Sequence, residues 1–383
     1  MVKHNKRMRM GYTTGSCAAG AAKAAALMLL SGERVPYVEL LTPKGILLRL
    51  KVRDAKRGEG FASCAIEKDG GDDPDATHGL LVYARVSFAT EETSQTVHID
   101  GGPGVGRVTK KGLEQPVGAA AINRVPRRMI EEAVLEICSR YGESRSMQVV
   151  ISIPGGEEAA KKTFNPRLGI LGGLSVLGTS GIVEPMSESA LIASIRAEIR
   201  MKLANERKYL ILVPGNYGTD FLGETWEELL EEAVKCSNFL GEALDSALEE
   251  GAKGVLLLGH IGKFVKLAAG IMNTHSRNAD GRMEILTAHA AVRGAGQQLC
   301  RSLMDCVTTD DALELLQEAG LLSPVMEDLM EWMEFYVNHR CGSGMEIGVL
   351  TFSNRQGLLG KTGQADSLLE KLKEQGRACG RQS

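Results

Sequence analysis

His260 and Lys263 stand in GHIGK (Gly259–Lys263), directly after the apolar run Gly254–Leu258. At the end of a buried strand, these two side chains would offer a proton-transfer group and a cation where a helix begins. Phosphate-loop spacing is absent, because Leu257 and Leu258 precede Gly259 and Phe264 follows the lysine. A simple strand–helix turn is the structural alternative. NTHSRNADGR (Asn273–Arg282) gathers His275, Arg277 and Arg282, which could bind carboxylates, with Asp280 to orient one of them. The alternative there is a solvated loop. DGGPGVG (Asp100–Gly106) has the acid-x-Gly-x-Gly-x-Gly pattern of nucleoside-binding loops. In that role Gly102, Gly104 and Gly106 would let the backbone approach a ligand, and Asp100 would bind ribose hydroxyls. A helix should follow, yet RVTKKGLEQPVG is broken by Gly and Pro, so a structural turn stays open. The acidic stretch Ile66–Gly79 lacks the calcium-loop ligand order, leaving Asp72, Asp73 and His78 as hydrogen-bonding or proton-transfer candidates. His260, His275 and His289 lack helical metal spacing, and no metal site is expected. There is no GxSxG elbow, which suits a reaction that needs no enzymic nucleophile.

The elements that must position these residues follow from apolar runs that end in glycine. The tract Val149–Met186 contains two such runs, and YLILVPGNYG (Tyr209–Gly218) and GVLLLGHIGK (Gly254–Lys263) repeat the pattern. Short Val/Ile/Leu runs bounded by glycine read as buried strands. Helical segments between them predict parallel strands, with the glycine-rich ends on one sheet edge where ligands bind. Gly178, Thr179, Ser180, Gly215, Asn216 and Gly259 then join the Asp100–Gly106 glycines as candidates for a cofactor cradle, without deciding which loop holds it. A small-residue helix is predicted over 16–31, capped by Thr13, Thr14 or Ser16. Strands are predicted at Val38–Thr42, Ile46–Val52, Ala62–Glu67, Leu80–Phe88 and Thr96–Ile99, with a helix at Arg127–Arg140. The expected class is α/β: an N-terminal α+β domain over 1–144, then a three-layer Rossmann-like α/β domain over 145–360, then a polar, mobile tail over 361–383. Helices are expected at Glu188–Glu206, Thr225–Glu250, Lys263–Met272, Ile285–Cys306, Asp310–Glu318 and Pro324–Val337, with a late strand at Ile347–Phe352.

The chain has 383 residues, room for two domains, and its 43% hydrophobic and 24% charged content is that of a globular protein. A formal net charge of −3 argues against a nucleic-acid partner, while leaving room for a local basic pocket. The eight cysteines form no CxxC pair and fit reduced thiols. Basic Lys3, Lys6, Arg7 and Arg9 ahead of CAAGAAKAAALMLL imitate a signal peptide, but the polar Gly11–Ser16 and Lys23 interrupt it. No run reaches membrane-span length, so a cytoplasmic protein without a membrane partner is expected, with homo-oligomerisation left open.

Taken together, the motifs resemble the cobalt-precorrin-5B C1-methyltransferase family of anaerobic cobalamin biosynthesis. The resemblance rests on GYTTGSCAAGAAKAA (Gly11–Ala25), KDGGDDPDATHG (Lys68–Gly79), GGPGVGRVTKKGLEQPVG (Gly101–Gly118) and the long tract Ile151–Ser187. PGNYG (Pro214–Gly218), KCSNF (Lys235–Phe239) and GHIGKFVKLAAGIMNTHSRNADGRMEIL (Gly259–Leu286) continue it in order. It implies an S-adenosylmethionine-dependent enzyme that methylates carbon 1 of a cobalt-containing, carboxylate-rich corrinoid macrocycle to give cobalt-precorrin-6A. Where the family carries an acid and prolines, this chain has Ala119, Ala120 and Arg124. Under this reading Thr13, Thr14, Lys161, Lys162, Arg167, Lys263, Arg277 and Arg282 are candidates to bind substrate. His260, and second His275, are candidate bases. Two rivals stay open: a nucleotide-dependent oxidoreductase on the same sheet edge, and a corrinoid-binding protein without turnover.

Overall fold

A computed structural model describes residues 2–3, 6–89 and 96–380. By its internal contacts the mixed α/β chain divides into two units, Met1–Glu188 and Ser189–Ser383. In the first, helix α1 (Thr14–Ser31) begins at Thr13, whose Oγ1 accepts the Ser16 N–H at 3.2 Å, and ends at Gly32 in the left-handed conformation. Seven buried alanines line α1, so it lies close against its neighbours; a Cβ at Gly20 would come within 2.5 Å of Leu50. Strands β1 (Tyr37–Leu41), β2 (Leu47–Gly58), β3 (Phe61–Glu67), β4 (Leu81–Phe88) and β5 (Val97–Gly101), helix α2 (Arg124–Tyr141) and strand β6 (Met147–Ser152) complete the frame. The sheet runs β1-β2-β3-β4-β6-β5, antiparallel except for the parallel β6–β5 pair. Leu50, Ala62, Cys64, Ile66, Val82, Ala84 and Val86 alternate along the strands to meet α1 and α2 in one core.

β6 corrects the expected domain boundary at 144. Rather than opening the second unit, it lies between β4 and β5, with Met147, Val149 and Ile151 buried in the first core. The chain beyond it stays in the same unit. Gly173–Leu174 pairs with Gly104–Val105, and Ile182–Val183 pairs with Gly11–Tyr12 beside the start of α1. The strand of Val149–Ser152 therefore does not share a sheet with the runs at Tyr209 and Gly254.

The short α3 (Gly156–Ala160) follows β6, and α4 (Glu188–Ala204) leads into the second unit. There the elements are β7 (Tyr209–Val213), α5 (Asn216–Thr225), β8 (Ala233–Lys235), α6 (Leu240–Glu249), β9 (Gly254–His260) and α7 (Ile261–Phe264). After α8 (Arg282–Val292), α9 (Gln297–Met304), α10 (Thr309–Glu318) and α11 (Leu322–Cys341), β10 (Glu346–Ser353), β11 (Gly357–Lys361) and α12 (Ala365–Gly380) end the chain. The sheet order is β8-β7-β9-β10-β11; the first four strands are parallel and β11 is antiparallel. Leu210, Leu212, Val255 and Leu257 enter one apolar core, while Ile211, Val213, Leu256 and Leu258 enter another, so both faces of the sheet are covered.

Three further expectations change. The acidic run Thr225–Glu250 reads as one helix, but Ala233–Lys235 leaves it to pair with β7. Ile285–Cys306 breaks between α8 and α9, where Gly294 takes positive φ. The expected mobile tail is α12, whose Ala365, Leu368 and Leu372 are fully buried against the sheet. No helix among the described residues is long and apolar enough to cross a membrane.

Candidate active site

In the second unit, β7 pairs with β8 on one side and β9 on the other, so the chain reverses its direction of sheet growth between β7 and β9. Open parallel sheets bind ligands in the crevice at such a point, outside the carboxyl ends of the strands. The residues there come from both strand ends. Lys263 Nζ donates to the carbonyl of Pro214 at 2.8 Å and to Asn238 Oδ1 at 2.9 Å, joining the ends of β9, β7 and β8. Burial pushes this ammonium below its ordinary pKa. Lys235 Nζ donates to Asn216 Oδ1 at 3.0 Å. Gly215 is extended, and a Cβ there would meet only Lys263 Nζ, at 3.8 Å. Gly259 is required by packing, since its Cβ would fall 2.4 Å from the Phe264 ring.

His260 caps α7: its Nδ1 accepts the Gly262 N–H at 3.0 Å. A neutral imidazole with Nδ1 as acceptor carries its proton on Nε2. Nε2 faces Asp310 Oδ2 at 3.8 Å, and Asp310 Oδ1 accepts the Ser353 hydroxyl at 2.7 Å. Burial lowers the histidine pKa, with Asp310 opposing the shift. Tyr217 and Phe352 flank the ring at centroid distances of 5.9 and 5.6 Å.

The Asn273–Arg282 loop docks beside the same edge. The Thr274 N–H donates to the Asn238 carbonyl at 3.0 Å, and buried Lys266, 2% exposed, donates to the carbonyls of Thr274 and Ala279. His275 is exposed, and its Nδ1 accepts the Arg277 N–H at 3.0 Å. Arg282 grips Asp280 and holds that carboxyl below its usual range. The structure thus groups Gly215, Asn216, Gly259, His260 and Lys263, and reaches the loop of His275, Arg277 and Arg282 through Asn238.

The remaining predicted residues lie in the first unit. Asp100 is held by Arg107 at 2.7 and 3.0 Å, which also keeps its carboxyl below the usual range. The glycines after it are filled by the chain's own atoms: a Cβ at Gly102 would meet Ser152 Oγ at 2.4 Å, at Gly104 the Ile153 carbonyl at 1.8 Å, and at Gly106 the Ile170 side chain at 2.4 Å. Gly178 holds positive φ against Thr13, and Thr13 and Thr14 are buried, with Thr14 Oγ1 accepting the Leu177 N–H at 3.0 Å. Exposed Thr179 and half-buried Ser180 complete that turn. Lys161, Lys162 and Arg167 are exposed after α3, Lys161 paired with Glu158. Among the described residues, no group of three or more His, Cys, Asp or Glu is placed to hold a metal.

Comparison with known proteins then decides the family. The model described as CbiD matches residues 1–185, and that described as CbiD, C-terminal domain, matches residues 273–363. The chain belongs to the CbiD family. A protein of Ruminiclostridium cellulolyticum named cobalt-precorrin-5B C(1)-methyltransferase is 47% identical over 354 residues, covering 92% of this chain and 91% of that one. One of the same name from Alkaliphilus metalliredigens is 47% identical over 376 residues, covering 98% of both. A solved structure of a cobalamin biosynthesis protein (cbiD) from Archaeoglobus fulgidus is similar at 27% identity and a TM-score of 0.38, over 72% of this chain and 84% of that one.

In this CbiD chain, sequence reasoning missed Lys235, Asn238, Asp310 and Ser353. Lys235 ends β8 and Asn238 follows it, and that strand is hidden in an acidic helix-like run, so no strand end pointed to them. KCSNF stands out only as a motif of the family resemblance. Asp310 starts a helix distant in sequence from His260, and only the fold brings them together.

Proposed function

We propose that this chain methylates carbon 1 of cobalt-precorrin-5B with S-adenosylmethionine, giving cobalt-precorrin-6A in anaerobic cobalamin biosynthesis. The observation that carries the reading is the near-complete overlap with the A. metalliredigens relative that bears this activity in its name, 98% of both chains. With it goes a finer reading of the fold: an α+β first unit and a three-layer, Rossmann-like second unit. Numbered from β7, the strand order is that of doubly wound sheets whose crevice lies between the first and third strands, with the last strand reversed.

We assign the cofactor to that crevice, at Gly215 and Asn216, with Gly259, packed against Phe264, shaping the neighbouring strand end. Space beside Gly215 supports this choice, whereas Gly102, Gly104 and Gly106 are occupied by their own unit's atoms. Bound S-adenosylmethionine supplies a methyl group already activated by its sulfonium, so the chain need offer no nucleophile. Its residues hold, orient and exclude water. Lys263 locks three strand ends together, while Arg277 and Arg282 offer cations to the substrate's acid arms. His260 acts as an Nε2–H donor rather than as a base, because the Gly262 N–H occupies its Nδ1 lone pair; His275 is placed alike by Arg277. We assign Thr13 and Thr14 to folding the start of α1.

Anaerobic incubation with cobalt-precorrin-5B and methyl-labelled S-adenosylmethionine tests the activity. Label at carbon 1 is expected. An unlabelled macrocycle, under conditions where the A. metalliredigens relative transfers label, rejects the assignment.

A further inference from the structure

The first unit has a charged surface that the foregoing reading leaves unused. Along β2, Leu48, Leu50 and Val52 turn to the core under α1, so Arg49, Lys51 and Arg53 share the opposite face. On β4, Val82, Ala84 and Val86 face the core, which puts Arg85 on that same open face. Two of these cations are pre-set by aromatic rings: Arg85 Cζ lies 3.8 Å from the Phe61 centroid, and Arg49 Cζ lies 4.7 Å from that of Tyr37. A guanidinium stacked this way leaves its in-plane N–H donors directed outward.

A cavity of about 280 Å³ opens at the Glu67 end of β3, with Lys51, Arg53, Arg9 and His78 on its wall beside Glu67 and Asp69. The wall's charges are partly spent: Arg53 pairs with Glu67 at 3.0 Å, and Arg9 NH2 with Asp69 at 2.9 Å. His78 accepts the Gly70 N–H on Nδ1 at 3.0 Å, which leaves Nε2 as a donor. Arg49, Lys51 and Arg85 make no ion pair among the described residues, although Glu39 lies across the strand pair from Arg49. From Arg49 to Arg53 the cations span roughly 13 Å along the strand, and Arg85 stands two strands, roughly 10 Å, to the side, level with Lys56 beyond Arg53. One carboxylate needs no such spread; acid groups arranged around a flat ring do.

We propose that this open face and its cavity bind the carboxylate arms of a flat, polyacidic tetrapyrrole. The identity of that ligand as the methyl acceptor rests on the function proposed above; the charge pattern does not.

The full-length protein is titrated with uroporphyrin, whose ring bears acetate and propionate arms, and with coproporphyrin, which has half as many acids. Uroporphyrin is expected to bind more tightly, and its affinity to fall as salt rises. In K51Q/R85Q, and separately in R49Q, uroporphyrin binding weakens about tenfold or more, with thermal unfolding unchanged because all three side chains are at the surface. With cobalt-precorrin-5B, kcat/KM of K51Q/R85Q falls through KM rather than through kcat. Unchanged uroporphyrin binding in both variants overturns the proposal. So does an oligothymidylate that binds more tightly than uroporphyrin and displaces it, which would make the face a nucleic-acid surface. Porphyrin binding that depends on Lys51 and Arg85 in a protein without methyl transfer overturns the activity alone.

Discussion

His260 does two jobs with one ring, and they separate by substitution. Its Nδ1 caps α7 while its Nε2 lies 3.8 Å from Asp310 Oδ2. H260N keeps an acceptor for the Gly262 N–H, whereas H260A loses the cap and about 1 kcal/mol of stability, measurable by urea unfolding. Both lose the imidazole, so methyl transfer should fall similarly in the two. Restoration of activity in H260N would reduce the histidine to a cap. The sign of the pH dependence follows from burial. The folded pKa lies below the ordinary 6.5, so as pH falls below that value the unfolded chain takes up a proton that the folded one refuses. Stability is fully held above this window and eroded beneath it, and H260N should flatten that acid-side loss of Tm. Lys263 is the firmer structural member. K263M strands the Pro214 carbonyl and Asn238 Oδ1, at a cost of about 1–3 kcal/mol in the same urea experiment. His260 and Lys263 were legible because an apolar run ending in glycine marks a strand's carboxyl end. Asn238 and Asp310 carry no such local mark, and their part in the site exists only through tertiary pairing.

Elements were misread where local chemistry and tertiary contact disagree. The glutamates around Ala233–Lys235 favour a helix, but three residues suffice for an edge strand once β7 offers its hydrogen bonds. The polar-looking end of the chain conceals an amphipathic helix. α12 buries Leu368 and Leu372, and Gln375 exchanges hydrogen bonds with the Tyr209 backbone at 2.9 and 2.8 Å. L372A should therefore cost about 2–5 kcal/mol, read from denaturant midpoints, which a frayed tail would not show. The glycine loop after β5 carries the opposite lesson. Its pattern resembled a ligand cradle, yet Gly104 has φ of 76° and its Cβ would overlap the Ile153 carbonyl. Backbone meeting backbone explains the glycine, and G104A should destabilise the first unit by at least the ~1–3 kcal/mol of a strained residue. Spacing alone could not separate a loop that admits a ligand from one that admits its own neighbour.

At the scale of the whole chain, the two units have separate hydrophobic cores, and each contains its own glycine loops. The loops at 100–106 and 178–180 belong to the first; those at 215–216 and 259–263 belong to the second. This division makes the cofactor's location decidable without reference to turnover. A ligand at ~100 times its dissociation constant stabilises the folded state it binds by ~2.7 kcal/mol, and amide exchange slows where local opening must release it. Hydrogen exchange of the full-length protein with S-adenosylhomocysteine should therefore slow in peptides covering residues 213–218 and 259–266. Peptides covering 100–106 should not change, because their glycines already touch Ser152, Ile153 and Ile170. Protection confined to 100–106 would move the cofactor to the first unit, and the acid-glycine pattern would then be a ligand loop despite its packing. Protection confined to 213–218 and 259–266 would keep the cofactor at the strand ends of the second unit, where Gly215 leaves open space beside Lys263.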